Sequence, residues 1–588
     1  MRRYFVGLLA TVGALTLILI AGGVAVIASG PFSAAPLPRS MVLSIDLRHA
    51  PPEAASIDLL HGGLFKSSPD LVEVVQLLWR AADDPRVVGL FVELGDDQAG
   101  LARVQELRQA IANFRGKGKF TVGFAESLGG TGSHLGDYYL ASALEQIWLQ
   151  PSGGFAVTGI AVETPFLKTG LDRLGIRIEG GRRYEYKSAP DSFLETGYTG
   201  PARENLQQLL DSLFSQFIAD VARDRRLDAA QVRRLIDSAP FDPERAREAG
   251  LIDRIGYRGD ALEEVWQRAG TVRDLVTLAD YAGEDTKPKS RRDVIALVRV
   301  NGPIVSGPSG DGGLLDDDVV AHAEDVVDAL ERAARSPEVR AIVLRIDSPG
   351  GTYPAADAIA DAVGRARSAG KPVIASMGDV AASGGYLAAV RADVIVAQPT
   401  TITASIGVFT VWPVASELLA SLGVKVDRLS VGTNAGMYST FQPPTAAQRA
   451  IVNRELDTVY REFTRQVGEA RKLTGSRLDD AARGRVFSGV DAKRAGLVDE
   501  LGGLQLALSI AKAKAGIDET RQVEIRRYPD DHDRWQRILD RLFRLSGVGV
   551  GAGSAVRAPR EIREALAKVG IVARPGNVRL PPLPPLWR

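Results

Sequence analysis

Asp84-Pro85-Arg86-Val87-Val88-Gly89-Leu90-Phe91-Val92-Glu93-Leu94 returns in altered form as Ser336-Pro337-Glu338-Val339-Arg340-Ala341-Ile342-Val343-Leu344-Arg345-Ile346. Each copy reads as a helix end followed by a run rich in β-branched residues, the pattern of a strand buried on both faces. The stretches downstream of the two copies correspond as well. Helical stretches are predicted over Leu101–Phe114 and Pro354–Ser368, then strands over Phe120–Phe124 and Pro372–Ser376. Tyr139-Leu140-Ala141-Ser142 lines up with Tyr386-Leu387-Ala388-Ala389. Ile147-Trp148-Leu149-Gln150-Pro151 lines up with Ile395-Val396-Ala397-Gln398-Pro399, and Leu174-Gly175-Ile176 with Leu422-Gly423-Val424. The offset drifts by only a few residues, so the chain is duplicated. Two homologous α/β units are expected, over about 40–285 and 286–540, after a first strand at Val42–Leu47. Alternating strands and helices imply βαβ units with right-handed crossovers.

The ends carry other signals. Met1-Arg2-Arg3 precedes an apolar run, Phe5 to Ala28, long enough to span a bilayer as a helix. A cleaved signal peptide has a shorter apolar stretch, so residues 1–30 are expected to be an uncleaved anchor. Arg2 and Arg3 would stay cytoplasmic, placing the body outside. Tyr281–Arg292 is charged, carries Pro288 and suits a junction between the units. Residues 541–588, with a Gly-rich Ser546–Ser554 and a Pro-rich end, are expected to form a mobile tail.

Composition excludes several chemistries. The 588 residues hold 72 basic and 72 acidic side chains, and nothing in that balance asks for nucleic acid. There is no cysteine, which removes disulfides, thiol nucleophiles and Cys-ligated zinc. The five histidines form no HExxH pair, so neither a metal nor any other cofactor is expected.

Two segments of the second unit carry chemistry. In Gly378-Asp379-Val380-Ala381-Ala382-Ser383-Gly384-Gly385-Tyr386, a strand is expected to end near Ser376, with a helix starting at about Ser383. A hydroxyl there meets free amides and the positive end of a helix, which favour a developing oxyanion. A helix N-cap serine fits the same pattern and is the commoner use of the residue. In Arg345-Ile346-Asp347-Ser348-Pro349-Gly350-Gly351, a buried strand runs into a Gly pair, either an ordinary turn or a ligand site at a strand C-terminus.

Asp347-Ser348-Pro349-Gly350-Gly351, Ala382-Ser383-Gly384-Gly385-Tyr386 and Ala404-Ser405-Ile406-Gly407-Val408, in that order, resemble the long, duplicated form of the signal peptide peptidase A (protease IV) family, S49. The resemblance covers nearly the whole chain. It implies tandem ClpP/crotonase-like α/β units and a Ser–Lys dyad whose lysine comes from the first unit. The matching segment is Tyr184-Glu185-Tyr186-Lys187-Ser188-Ala189-Pro190, so Ser383 is the expected nucleophile and Lys187 the expected base. Gly350 and Gly384 are the implied oxyanion donors, and Ser405 the implied partner that orients the lysine. The repeat agrees: Ser383 aligns with Gly136, and Lys187 with Ala435, so each unit keeps one member of the pair. Asp347 and Ala404 depart from the pattern, standing where Asn and Gly are common.

The resemblance also implies a substrate class, remnant signal peptides and other apolar peptides. It implies a homo-oligomer, a tetramer, held on the bacterial cytoplasmic membrane by its N-terminal helices with the body on the periplasmic side. A non-catalytic membrane scaffold is the alternative. A crotonase-type acyl-CoA enzyme is a weaker rival, because coenzyme A is absent outside the cell.

Overall fold

The computed structural model describes residues 37–53, 69–95, 100–130, 135–283, 293–309 and 319–528. The expected anchor at 1–30 and tail at 541–588 lie outside the described residues. Among the described residues no helix is long and apolar enough to cross a membrane.

Two parallel sheets organise the chain. The first runs Arg254–Ile255, Gln146–Leu149, Phe120–Ala125, Val87–Leu94, Met41–Leu47, Leu275–Thr277. The second repeats that order as Glu500–Leu501, Val394–Ala397, Val373–Ala382, Val339–Ser348, Val294–Asn301, Glu524–Tyr528. Its central strand Val339–Ser348 is apolar on both faces because helices cover both. Pro354 sits in the first turn of the Tyr353–Ser368 helix, where its missing N–H costs nothing. Each unit ends its crossover with a helix of 26 residues, Gly200–Arg225 and Ala446–Arg471. Thr199 and Thr445 cap their N-termini, and Arg226 and Lys472 close them in the left-handed region.

The duplication extends to single hydrogen bonds. Arg225 grips Asp253 through two nitrogens, at 3.0 and 2.8 Å, and Arg471 grips Asp499 at 3.0 and 2.6 Å. Asp253 takes the Ile147 N–H, and Asp499 takes the Ile395 N–H, both at 2.8 Å. Beside each pair a buried tyrosine donates to a leucine carbonyl: Tyr138 to Leu251 at 3.0 Å and Tyr386 to Leu497 at 2.9 Å. Tyr138 is therefore the twin of Tyr386, where the sequence paired Tyr139. That shifts the counterpart of Ser383 from Gly136 to Leu135. The sequence offers adjacent tyrosines and only the hydrogen bond tells them apart.

The second unit departs from the first around its long strand. Val373–Ala382 was expected to stop near Ser376 but runs on to Ala382. It pairs with Val394–Ala397 early and with Ile402–Ala404 late. Against Val339–Ser348 its register slips between Ile346 and Ser348, so Gly378, Asp379 and Val380 stand opposite Asp347 alone. A strand of the first unit, Arg177–Arg183, pairs antiparallel with Val408–Val414 of the second. That ribbon ties the units together and carries the first unit's chain toward the second unit's sheet.

Candidate active site

Ser383 ends the long strand at φ 55° and ψ −116°, a conformation that costs a non-glycine residue energy. A short helix, Gly384–Ala389, follows. Ser383 occupies the N-cap position yet makes no side-chain cap bond, so the N-cap role is not the one its hydroxyl plays. Its N–H is held by the Ala404 carbonyl at 2.7 Å. The sharp turn leaves the hydroxyl partly exposed above the sheet.

Lys187 arrives from the other unit. Just past the cross-unit ribbon, the Tyr184 and Tyr186 N–H groups donate to the Arg483 carbonyl. Tyr184 packs edge-on against Tyr460, with ring centroids 4.7 Å apart. Two glycines then make room. A side chain on Gly484 would overlap the Lys187 backbone, and one on Gly407 would start 2.5 Å from the Arg183 carbonyl oxygen. Lys187 is 2% exposed. Its Nζ lies 3.1 Å from Ser383 Oγ, 2.9 Å from Ser405 Oγ and 2.8 Å from the Ser405 carbonyl oxygen. Burial alone pushes its ammonium down from 10.5 to about 7, with no carboxylate nearby to oppose it. A large share of this lysine is therefore a neutral amine at neutral pH.

Ser405 is buried at φ 51°, directly after Ala404 at φ 67°. A left-handed Ala404 explains why glycine suits that place. The Ser405 N–H is held by the Arg485 carbonyl at 2.9 Å, which aims its side chain at the lysine.

The Gly pair differs from expectation. Ser348-Pro349-Gly350 folds as a serine turn in which Ser348 Oγ accepts the Gly350 N–H at 3.1 Å. The Gly350 amide is thereby occupied. Gly351 bridges Ile304 through its neighbours: Gly350 O accepts the Ile304 N–H, and the Thr352 N–H donates to Ile304 O. In such a bridge the Gly351 N–H points to the opposite edge. Its nitrogen is 3.1 Å from where a Gly384 side chain would begin. Among the described residues the Gly351 and Gly384 N–H groups donate to no acceptor. The donor facing the serine turn is thus one residue beyond the expected one.

Sequence reasoning brought Ser383, Lys187, Gly384 and Ser405 to one place. It missed Gly407 and Gly484, whose lack of a side chain admits the lysine. It also missed the charged seam behind the site. There Arg345, inside an apolar strand, meets Glu53 at 2.6 Å and Glu106 at 2.5 Å from the first unit. No histidine among the described residues is hydrogen-bonded to Ser383 or Lys187, and none of those residues group as metal ligands.

A serine on a sharp turn over a strand end, free amides beside it and an amine within reach define a serine-type hydrolase on a duplicated α/β frame. Peptidase family S49 matches residues 127–271 and 365–518, one segment in each unit. The chain belongs to that family, and is a serine-type peptidase. It is 31% identical to the chloroplastic serine protease SPPA of Arabidopsis thaliana over 78% of this chain and 68% of that one. It is 31% identical to Protease 4 of Salmonella typhi over 82% of this chain and 78% of that one. Among solved structures, a ClpP1 variant from Listeria monocytogenes aligns with 36% of this chain and 94% of its own, at 19% identity and a TM-score of 0.23.

Proposed function

We propose that this chain is a membrane-anchored serine endopeptidase in which Ser383 is the nucleophile and Lys187 the general base. One observation carries the reading: a fully buried lysine amine, free of carboxylates, 3.1 Å from a serine hydroxyl on a strained turn. A serine hydroxyl needs an adjacent base, and only a neutral lysine can act as one. Neutral Lys187 takes the Ser383 proton while Oγ attacks the peptide carbonyl carbon. The carbonyl π pair moves onto oxygen, facing the Gly384 and Gly351 amides; Gly351 replaces the expected Gly350. The C–N bond then breaks and Lys187 returns the proton to the leaving amine. In deacylation Lys187 takes a proton from water as the water oxygen attacks the acyl carbon, and the bond to Oγ breaks as Lys187 returns that proton to Ser383. Ser405 holds the amine on the line to Ser383.

The open edge at Gly351 suits an extended peptide adding as a strand. An apolar peptide fits that mode, and the apolar run Phe5 to Ala28 would keep the site near membrane-borne substrates such as remnant signal peptides. The Protease 4 relatives support the peptidase activity. A homotetramer on the periplasmic face of the cytoplasmic membrane completes the proposal.

The test is hydrolysis of a fluorogenic apolar peptide by detergent-purified protein across pH 6–10. Wild-type activity is expected to rise through about pH 7 as Lys187 loses its proton. Lys187→Ala is expected to be folded and inactive. Full activity in Lys187→Ala would place the base elsewhere and sink the proposal.

A further inference from the structure

We infer that Asp347 is a positioning residue that works as a neutral carboxyl, tying the Gly350–Gly351 turn to the strand that ends at Ser383, and that its ionisation slackens the site at alkaline pH. The inference rests on Ser383 being the nucleophile.

The geometry begins with the register slip. Three residues, Gly378 to Val380, bulge opposite Asp347. No main-chain ladder can bridge such a mismatch, and the Asp347 side chain does so instead. Its Oδ1 accepts the Val380 N–H at 2.9 Å. Gly378 leaves the space: a side chain there would begin 3.1 Å from Asp347 Cβ and 3.1 Å from Glu53 Oε1. Asp347 sits at the hinge between two parts of the site. Ser348 and the Gly pair follow it directly, and the bulge it fills leads in three residues to Ser383.

The surroundings argue for a proton. Four carboxyls, Glu53, Glu106, Asp347 and Asp379, meet two guanidiniums, Arg103 and Arg345. Glu53 and Glu106 hold Arg345. Asp379 takes both the side chain and the main-chain N–H of Arg103, and so caps the first turn of the Leu101–Gly116 helix from the other unit. Asp347 is the carboxyl without a guanidinium among the described residues. Of the elements around it, its own strand offers Arg345, the bulge Asp379, the first-unit helix Arg103 and Glu106, and the segment after the Met41–Leu47 strand Glu53. The neighbouring strand puts uncharged Asn301 opposite it, with Arg299 committed to Asp70. Two positive charges cannot balance four negatives, three of them buried and Asp347 half-buried among them, and the excess is relieved most readily by protonation. In line with this, burial and then the charges on Glu53 and Asp379 push the Asp347 carboxyl up to about 7. Above that range an unpaired charge develops inside the bulge. The Val380 N–H favours that charge, but Glu53 and Asp379 repel it, and the repulsion pushes Asp347, with the Gly351 amide that follows it, away from the strand that ends at Ser383.

The test is kcat/KM against pH for the full chain in detergent, with a fluorogenic apolar peptide. Wild type is expected to follow a bell centred near pH 7, because the rise set by Lys187 and the fall set by Asp347 both lie near 7. Asp347→Asn keeps the acceptor for Val380 and cannot ionise. It is expected to keep the rise, lose the fall and exceed wild type at least fivefold at pH 9. Asp347→Ala, with no acceptor, is expected to be slow at every pH, which separates acceptor from charge. An alkaline fall unchanged in Asp347→Asn, or absent in wild type, overturns the inference. Should Asp347→Asn not fold, Glu53→Gln carries the test. Removing that neighbouring charge eases ionisation of Asp347 and must move the fall to lower pH; an unmoved fall is again fatal. Activity surviving in Ser383→Ala or Lys187→Ala would defeat the peptidase reading instead, whatever the alkaline limb does.

Discussion

The two units share a frame and differ in the segments around the candidate site. Their sheets have the same strand order, and the Arg–Asp–Tyr latch recurs bond for bond. Where the frame leads into the latch tyrosine's helix, the first unit places Leu135 at φ −77° and ψ −27°, an ordinary helical conformation. The second places Ser383 at φ 55° and ψ −116°. The inequality runs the other way for the base. The first unit extends the ribbon Arg177–Arg183 and ends it in Lys187, while the second unit has Thr433, Asn434 and Ala435 in the corresponding stretch. Duplication thus kept what folds a unit and divided what could act between them. A site split in this way works only when both units are docked.

The largest expected effect tests that division. Ser383→Ala should lower kcat by about 10⁴-fold or more, with the thermal midpoint unchanged. Adding Leu135→Ser to that variant supplies a hydroxyl at the twin position. It is expected to restore nothing, because Leu135 has a relaxed helical backbone and Ala435 stands where the lysine would be. Recovery of a hundredth of wild-type activity would break the comparison.

The next effect concerns stability. Lys187 titrates near 7 in the folded chain and near 10.5 when unfolded. Below pH 7 the fold carries the full cost of burying that amine. Between pH 7 and 10.5 the unfolded chain holds a proton the folded chain lacks, so stability rises with pH across that window. Lys187→Met removes the titrating group. It is expected to raise stability at pH 7 by about 2–4 kcal/mol, an advantage that shrinks toward pH 10. Thermal melts of both proteins at pH 7 and pH 10 check it. A Lys187→Met protein less stable than wild type at pH 7 would mean the amine is not buried at a cost.

How much of this could be read from sequence depends on how local each feature is. The strands were legible because a buried parallel strand is a continuous apolar run, as in Val87–Leu94 and Val339–Ile346. The motif serine and the segment around Lys187 were legible as short patterns. Most of the unreadable features turn on partners far along the chain. The bulge at Gly378 to Val380 needs Asp347 and Glu53 to make sense. The left-handed turn at Ser383 needs the Ala404 carbonyl. Arg345, a charge inside an apolar strand, makes sense only with Glu53 and Glu106 of the other unit. Gly350 was expected to offer a free amide because sequence does not show which N–H the Ser348 hydroxyl will take. The one-residue slip between Tyr138 and Tyr139 has the same origin: two tyrosines in a row look alike until Leu251 chooses one.

The smallest expected effect compares the two latches directly. Arg225 and Arg471 have side chains 8% and 10% exposed and grip partly exposed aspartates, so their salt bridges are only partly shielded from water. Truncation to Ala should therefore cost each unit about 1–2 kcal/mol, in near-equal measure, because the bonds lost are the same. Thermal midpoints lower by a few degrees in both variants would show it. Catalysis should not treat them equally. Behind Arg471 stands Asp499, then Tyr386 on the Leu497 carbonyl, and Tyr386 lies in the short helix that Ser383 begins. Behind Arg225 the matching tyrosine, Tyr138, lies in the helix that Leu135 begins, and Leu135 has no hydroxyl to act with. Arg471→Ala is expected to lower kcat about tenfold with KM unchanged, and Arg225→Ala to leave kcat alone. If both slow the reaction alike, the latch acts through docking of the units. If neither does, the turn at Ser383 is held by the Ala404 carbonyl and the bulge without help from the helix behind it.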